Sequence, residues 1–145
     1  MEDKDLKLNL ELPDNLPTFE ADEFKLEQLF VNLIDNAVKY TETGSISIRA
    51  DKQENNIMFT ISDTGIGIPK NDLSRIFERF YVVDKSRSRR VGGTGLGLSI
   101  VKHIVLLHHG HIVVESVKKK GTTFFITLPV KAGDFQKNYS HNNDT

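Results

Sequence analysis

Asn32, Asn36 and Lys39 fall at i, i+4 and i+7 of a helical pattern, so they form one polar stripe beside an apolar one. Amide oxygens are hard donors for Mg2+, and an ammonium offsets phosphate charge, so the stripe suits a metal–polyphosphate ligand. A solvated helix face would place the same residues outward. Asparagine is a mediocre helix former, however, and two of them in mid-helix weigh against that plainer reading.

Two glycine clusters add to this signal. Asp63-Thr64-Gly65-Ile66-Gly67-Ile68-Pro69 follows a strand-like run. Its carboxylate can accept from an adenine amino group, and Gly65 and Gly67 let a base approach the backbone. An Asx turn with a glycine hinge is the alternative there. Gly92-Gly93-Thr94-Gly95-Leu96-Gly97-Leu98 opens a second helix. A helix N-terminus presents free N–H groups and a positive dipole end to an anion, although a flexible linker into a helix cap would look similar. The spacing is not a dinucleotide fingerprint, and the cluster lacks the lysine of a Walker A loop. One nucleotide, read at its base by the first cluster and at its phosphates by the second, accounts for both.

The elements that must position these groups follow from periodicity. Lys7 to Leu12 alternates as a strand, and Pro13 and Pro17 bracket a turn after it. Asp22 is an N-cap for a long helix with Leu26, Leu29, Phe30, Leu33, Ile34, Ala37 and Val38 on one face, ended by Thr43-Gly44. Strands follow over Ser45 to Ala50 and Ile57 to Ser62, and a short helix runs from Pro69 through Phe77. Asp84 to Gly95 reads as a mobile loop. Leu96 to His109 forms a helix with Gly110 as its C-cap, and a final hairpin, Ile112 to Glu115 and Thr122 to Leu128, turns at Lys120-Gly121. The polar segment after Pro129 reads as disordered. This order of elements predicts an α/β sandwich, a helix layer on one face of a mixed sheet.

Composition narrows the classes. The chain has 145 residues, 38% apolar and 27% charged, with a net charge of −1 and no cysteine. That is about one domain with a real core, no global bias toward nucleic acid or membrane, and no thiolate metal site or disulfide. No apolar run nears the ~20 residues of a spanning helix and no signal peptide opens the chain, so the segment reads as cytosolic in character. Lys85, Arg87, Arg89 and Arg90 could assist phosphate binding or form a solvated loop; Lys118 to Lys120 read as a charged turn without a role. His103, His108, His109 and His111 lack ligand spacing, and Phe77, Phe80 and Tyr81 read as core packing.

Together these segments resemble the ATP-binding catalytic domain of bacterial two-component sensor histidine kinases, in the gyrase, MutL and histidine-kinase ATPase superfamily. The likeness covers about residues 6 to 130. Gln28 to Thr41 looks like the N box, Asp63 to Gly67 the first glycine box, Phe77-Glu78-Arg79-Phe80 the F box and Gly93 to Leu98 the second glycine box, with Gly121 to Phe124 resembling the closing segment. The resemblance implies a two-layer α/β sandwich of Bergerat type, with a mixed, mostly antiparallel sheet under about three helices, over residues 1–130, and a tail over 131–145. It also implies that Asn36 ligates Mg2+ with Asn32 beside the metal, that Lys39 touches phosphate, and that Asn32 and Lys39 serve catalysis. Tyr40 would lie along the adenine, and Asp63 would accept from its amino group with Thr123 in support. Gly65, Gly67 and Ile68 would line the base; Gly93, Thr94, Gly95, Leu96, Gly97 and Leu98 would hold phosphate. Residues 81 to 95 would form a lid ordered by nucleotide.

Implied partners are ATP, a helical-hairpin phosphoacceptor domain of the same kinase and a response regulator, without nucleic acid or direct membrane contact by this segment. The isolated domain would be a monomer, and the full kinase a homodimer in the bacterial cell membrane. Two departures matter: Val82 stands where this family often has a phosphate-sensing arginine, and no histidine here sits in a phosphoacceptor context. Three other readings stay open: a non-catalytic nucleotide-binding module, a gyrase- or MutL-like ATPase, and an anti-sigma type serine/threonine kinase. Gyrase-type ATPases carry a glutamate one turn before the metal-binding asparagine. Here that position is Asn32, which cannot take a proton, and losing a general base costs on the order of 10² to 10⁴ in rate. That favours transfer to histidine over fast hydrolysis.

Overall fold

The computed structural model describes residues 5–14, 21–81 and 96–130. The expected lid over residues 81 to 95, apart from Tyr81 but including Gly93, Thr94, Gly95 and the four basic residues, and the expected tail from Lys131 lie outside the described residues.

Strand β1 (Asp5–Glu11) is followed by helix α1 (Glu23–Lys39), β2 (Thr43–Gln53), β3 (Asn56–Asp63), a 3-10 turn (Lys70–Asp72), helix α2 (Gly97–Leu107), β4 (His111–Val117) and β5 (Gly121–Pro129). The sheet has five strands in the order β1-β2-β3-β5-β4. β1 runs parallel to β2, and the other neighbours are antiparallel. The predicted mixed sandwich is therefore present. Among the described residues two α-helices cover the sheet rather than about three. The segment after Pro69 makes only one 3-10 turn and then a run of turns through Phe80.

α1 begins where Asp22, in extended conformation, accepts from the Lys25 amide at 3.0 Å, a side-chain N-cap. It ends at Lys39 rather than at Thr43-Gly44, which already belong to β2. α2 closes in a Schellman motif: the Gly110 amide donates to Val105 O and the His109 amide to Leu106 O, both at 3.0 Å. The left-handed residue is His109 (φ 61) and not the expected Gly110. Glycine is needed at 110 for another reason: a Cβ there would lie 2.2 Å from the Thr127 carbonyl oxygen of β5. The far ends of the two helices are tied together, since the Asp22 amide donates to His108 Nε2 at 3.1 Å while His108 Nδ1 meets Ile104 O at 2.9 Å. The carbonyl can only accept, so the proton sits on Nδ1.

The core lies between Leu29 and Leu33 of α1, Val101, Ile104 and Val105 of α2, and Ile61, Phe124, Ile126 and Leu128 of the central strands. β1 is a sheet edge outside that core cluster, and its Leu8 and Leu10 are 59% and 60% exposed. Phe77 packs edge-on to Phe124, with centroids 6.3 Å apart. Phe80 does not join the core as expected; it is 64% exposed, because its backbone turns through φ 66 and points the ring away.

Candidate functional site

Between the C-terminal part of α1, the loop after β3 and the start of α2 lies a cavity of about 270 Å³. Asn32, Asn36, Lys39 and Tyr40 line its α1 wall, as the i, i+4, i+7 spacing requires. Asp35 and Tyr81 border it as well. Asp63, Gly67 and Ile68 enter from the loop after β3, and Leu96, Gly97 and Leu98 from the start of α2.

The base end is built around Asp63, which is 8% exposed. Its Oδ1 accepts from the Gly65 amide at 2.9 Å and the Thr122 amide at 3.3 Å, so neither of these backbone bonds uses Oδ2. Burial pushes the carboxyl above its usual range, and the Gly65 and Thr122 amides and the Thr41 side chain pull it partly back. The result is a buried acceptor in the cavity wall.

The loop after Asp63 needs its glycines because it threads between two other elements. A Cβ on Gly65 would sit 2.2 Å from the Tyr40 carbonyl oxygen at the end of α1. Gly67 combines a positive φ of 73 with a place where a Cβ would be 2.2 Å from Val117 O, at the β4–β5 turn. Three hydrogen bonds secure the crossing. The Ile66 amide donates to Tyr40 O at 3.1 Å, the Lys119 amide to Ile66 O at 2.6 Å, and the Ile68 amide to Ser116 Oγ at 2.7 Å. The lysine turn, without a role by sequence, thus buttresses the loop through its backbone.

Thr123 is placed away from the cavity. β5 pairs with β3 so that Thr122 lies opposite Asp63 and Thr123 opposite Ser62. The Thr123 hydroxyl bonds Ser62 Oγ at 2.8 Å on the other face of the sheet. Thr122 lines the cavity instead, and its hydroxyl bonds Ser116 Oγ at 2.8 Å. Thr41, Ser116 and Thr122 were not singled out from sequence; no chemical signal distinguishes them from ordinary strand and turn hydroxyls.

At the other end, Gly97 opens α2 beside Asn32: a Cβ on Gly97 would lie 3.6 Å from Asn32 Oδ1. Leu96 is the N-cap and supplies no side-chain cap bond to the first amides of the helix. The buried Asn32 Nδ2 has no partner among the described residues. No group of three or more His, Cys, Asp or Glu side chains there could hold a metal alone. Neutral amide oxygens from Asn32 and Asn36 fit a magnesium ion that keeps waters and phosphate oxygens in its shell. Tyr81, the first residue of the expected lid, donates its hydroxyl to Asp72, and the Arg75 guanidinium lies 4.4 Å from its ring centroid.

Comparison with known proteins identifies the family and the fold. The family model described as histidine kinase-, DNA gyrase B-, and HSP90-like ATPase matches residues 21–132. Sensor histidine kinase WalK of Bacillus subtilis is 46% identical over 83% of this chain, which spans 20% of that protein. The circadian input-output histidine kinase CikA of Synechococcus elongatus is 42% identical over 86% of this chain, which spans 17% of it. Among solved structures, the mycobacterial sensor histidine kinase MprB superposes with a TM-score of 0.76 at 30% identity, over 86% of this chain and 83% of that one. Full-length ShkA in complex with AMPPNP gives 0.74 at 32% identity, over 86% of this chain and 25% of that one. No helix among the described residues is long and apolar enough to cross a membrane. A loop-borne carboxylate, an asparagine stripe and a helix start thus meet in one cavity on a sheet shared with these kinases, and the chain belongs to the histidine kinase-, DNA gyrase B- and HSP90-like ATPase family.

Proposed function

We propose that the chain binds Mg-ATP in this cavity and donates the γ-phosphoryl group to a histidine on a separate dimerisation and phosphotransfer domain, in two-component signalling. The observation that carries the reading is the juxtaposition of Asp63, buried with Oδ1 held by two amides, and the α2 start beside Asn32 across the same cavity. Asp63 accepts from the adenine amino group, and Tyr40, Ile68, Gly65 and Gly67 bound the base. Lys39 meets phosphate, and the amides at Leu96, Gly97 and Leu98, continuing from Gly93, Thr94 and Gly95, hold the phosphate chain. Asn36 and Asn32 would hold the magnesium ion, which supplies charge neutralisation on the phosphates.

In the transfer, the bond from the γ-phosphorus to the β–γ bridging oxygen breaks as a histidine nitrogen forms its bond to phosphorus. ADP leaves and the imidazole gives up its proton. Asn32 offers no carboxylate to activate water, which favours this acceptor over hydrolysis. The parent protein is proposed to be a dimeric, membrane-resident kinase with a response regulator as its downstream partner.

The test mixes this chain with a separate phosphoacceptor hairpin and γ-labelled ATP. Acid-labile label on the hairpin histidine is the expected result. Steady phosphate release without an acceptor would favour a gyrase-like ATPase, and binding without either product would leave a nucleotide-binding module. In the binding arm, Asn36→Ala should abolish Mg-ATP affinity by calorimetry with the melting profile retained.

A further inference from the structure

Thr41 follows the end of α1 and is fully buried. Among the described residues its hydroxyl makes no well-formed hydrogen bond, which is rare for a buried polar group and calls for a reason. The hydroxyl fills the space left by the missing side chain of Gly65, where a Cβ would come within 2.6 Å of Oγ1. The Tyr40 carbonyl borders the same space, and the Asp63 carboxyl is an acceptor whose ionised form the Thr41 side chain favours.

The two amides on Asp63 act on the same oxygen. They hold Oδ1 in place but leave the terminal torsion of the side chain, which is intrinsically soft, free to swing the other oxygen. A third donor from the direction of α1 would remove that freedom. We propose that Thr41 is a positioning residue for Asp63, turning the carboxylate so that its second oxygen meets the 6-amino group of a bound purine. This role rests on the nucleotide reading above and adds to it a determinant of base selectivity. Adenine offers a donor at position 6, whereas hypoxanthine offers an oxygen that would face the carboxylate acceptor to acceptor.

Calorimetric affinities of Mg-ATP and Mg-inosine triphosphate for the whole chain test this, with Thr41→Val, Thr41→Ala and Thr41→Ser beside the wild type. The ratio of the two affinities is the readout, because partial unfolding of a variant scales both nucleotides alike. Valine keeps the shape and removes the donor; it should erode the preference for ATP about tenfold. Alanine should do the same should valine fail to fold, and serine, which restores the hydroxyl, should recover the wild-type ratio. An unchanged ratio in the valine and alanine variants, or equal weakening of both nucleotides, would overturn the role and leave Thr41 as packing. A wild-type chain that binds neither nucleotide would instead defeat the nucleotide reading itself, and this role with it.

Discussion

Asp63 carries an energetic conflict that makes its role measurable. Its carboxyl titrates above its ordinary 3.8, chiefly because burial penalises the charge. Between that ordinary value and the folded one, the native state binds more protons than the unfolded chain. Stability without nucleotide therefore falls as pH rises through this window and then levels off. Purine binding needs the ionised acceptor and strengthens across the same window, so the two curves should run in opposite directions. Parallel curves in melting and calorimetric titrations would contradict the assignment. Asp63→Asn keeps an oxygen for the Gly65 and Thr122 amides while removing the buried charge. It should stabilise the fold by about 1 kcal/mol and weaken ATP binding on the order of a hundredfold, since its amide would face a donor. A variant that binds ATP normally would remove Asp63 from the site.

At the scale of elements, the cavity depends on a loop held between the end of α1 and the β4–β5 turn. Gly65→Ala must push its Cβ into the Tyr40 carbonyl. A loss of about 1–3 kcal/mol in chemical denaturation, with loss of ATP binding, is the expected outcome. The Asp22 cap lies at the other end of α1, so Asp22→Ala should cost about 1 kcal/mol and leave ATP affinity unchanged. These elements differed in how legible they were. The α1 stripe and the glycine loop could be read because asparagine, aspartate and glycine are uncommon in those contexts without a reason. The choice between Thr122 and Thr123 was harder: in Thr122-Thr123-Phe124-Phe125 each type is doubled, and the parity shows only further along, where Ile126 and Leu128 alternate with Thr127 and put Thr122 on the core face. The pairing of Asp63 with Thr122 across the ladder agrees with that parity. The segment after Pro69 starts as the expected short helix, a 3-10 turn at Lys70–Asp72, and goes on as turns because its apolar spacing fits a chain of turns as well as a helix. Gly110 looked like a cap because the sequence contains no sign of the Thr127 carbonyl that excludes a side chain there.

Across the whole molecule, the site draws on α1, the β3 loop, the β4–β5 turn and α2, while β1 contributes nothing to the cavity. Native-state hydrogen exchange should therefore find β3 and β5 the slowest strands and β1, an exposed edge, the fastest, with nucleotide protecting the residue 63–68 loop but not β1. Uniform protection of all five strands would contradict this picture. The threonine pair also offers something practical. Thr122 borders the cavity while Thr123, its neighbour, lies on the opposite face of the same strand, and the chain has no cysteine. Thr123→Cys would create a unique thiol for a fluorescent dye, one sheet thickness behind the purine. Such a label could report nucleotide arrival in real time without entering the cavity it watches.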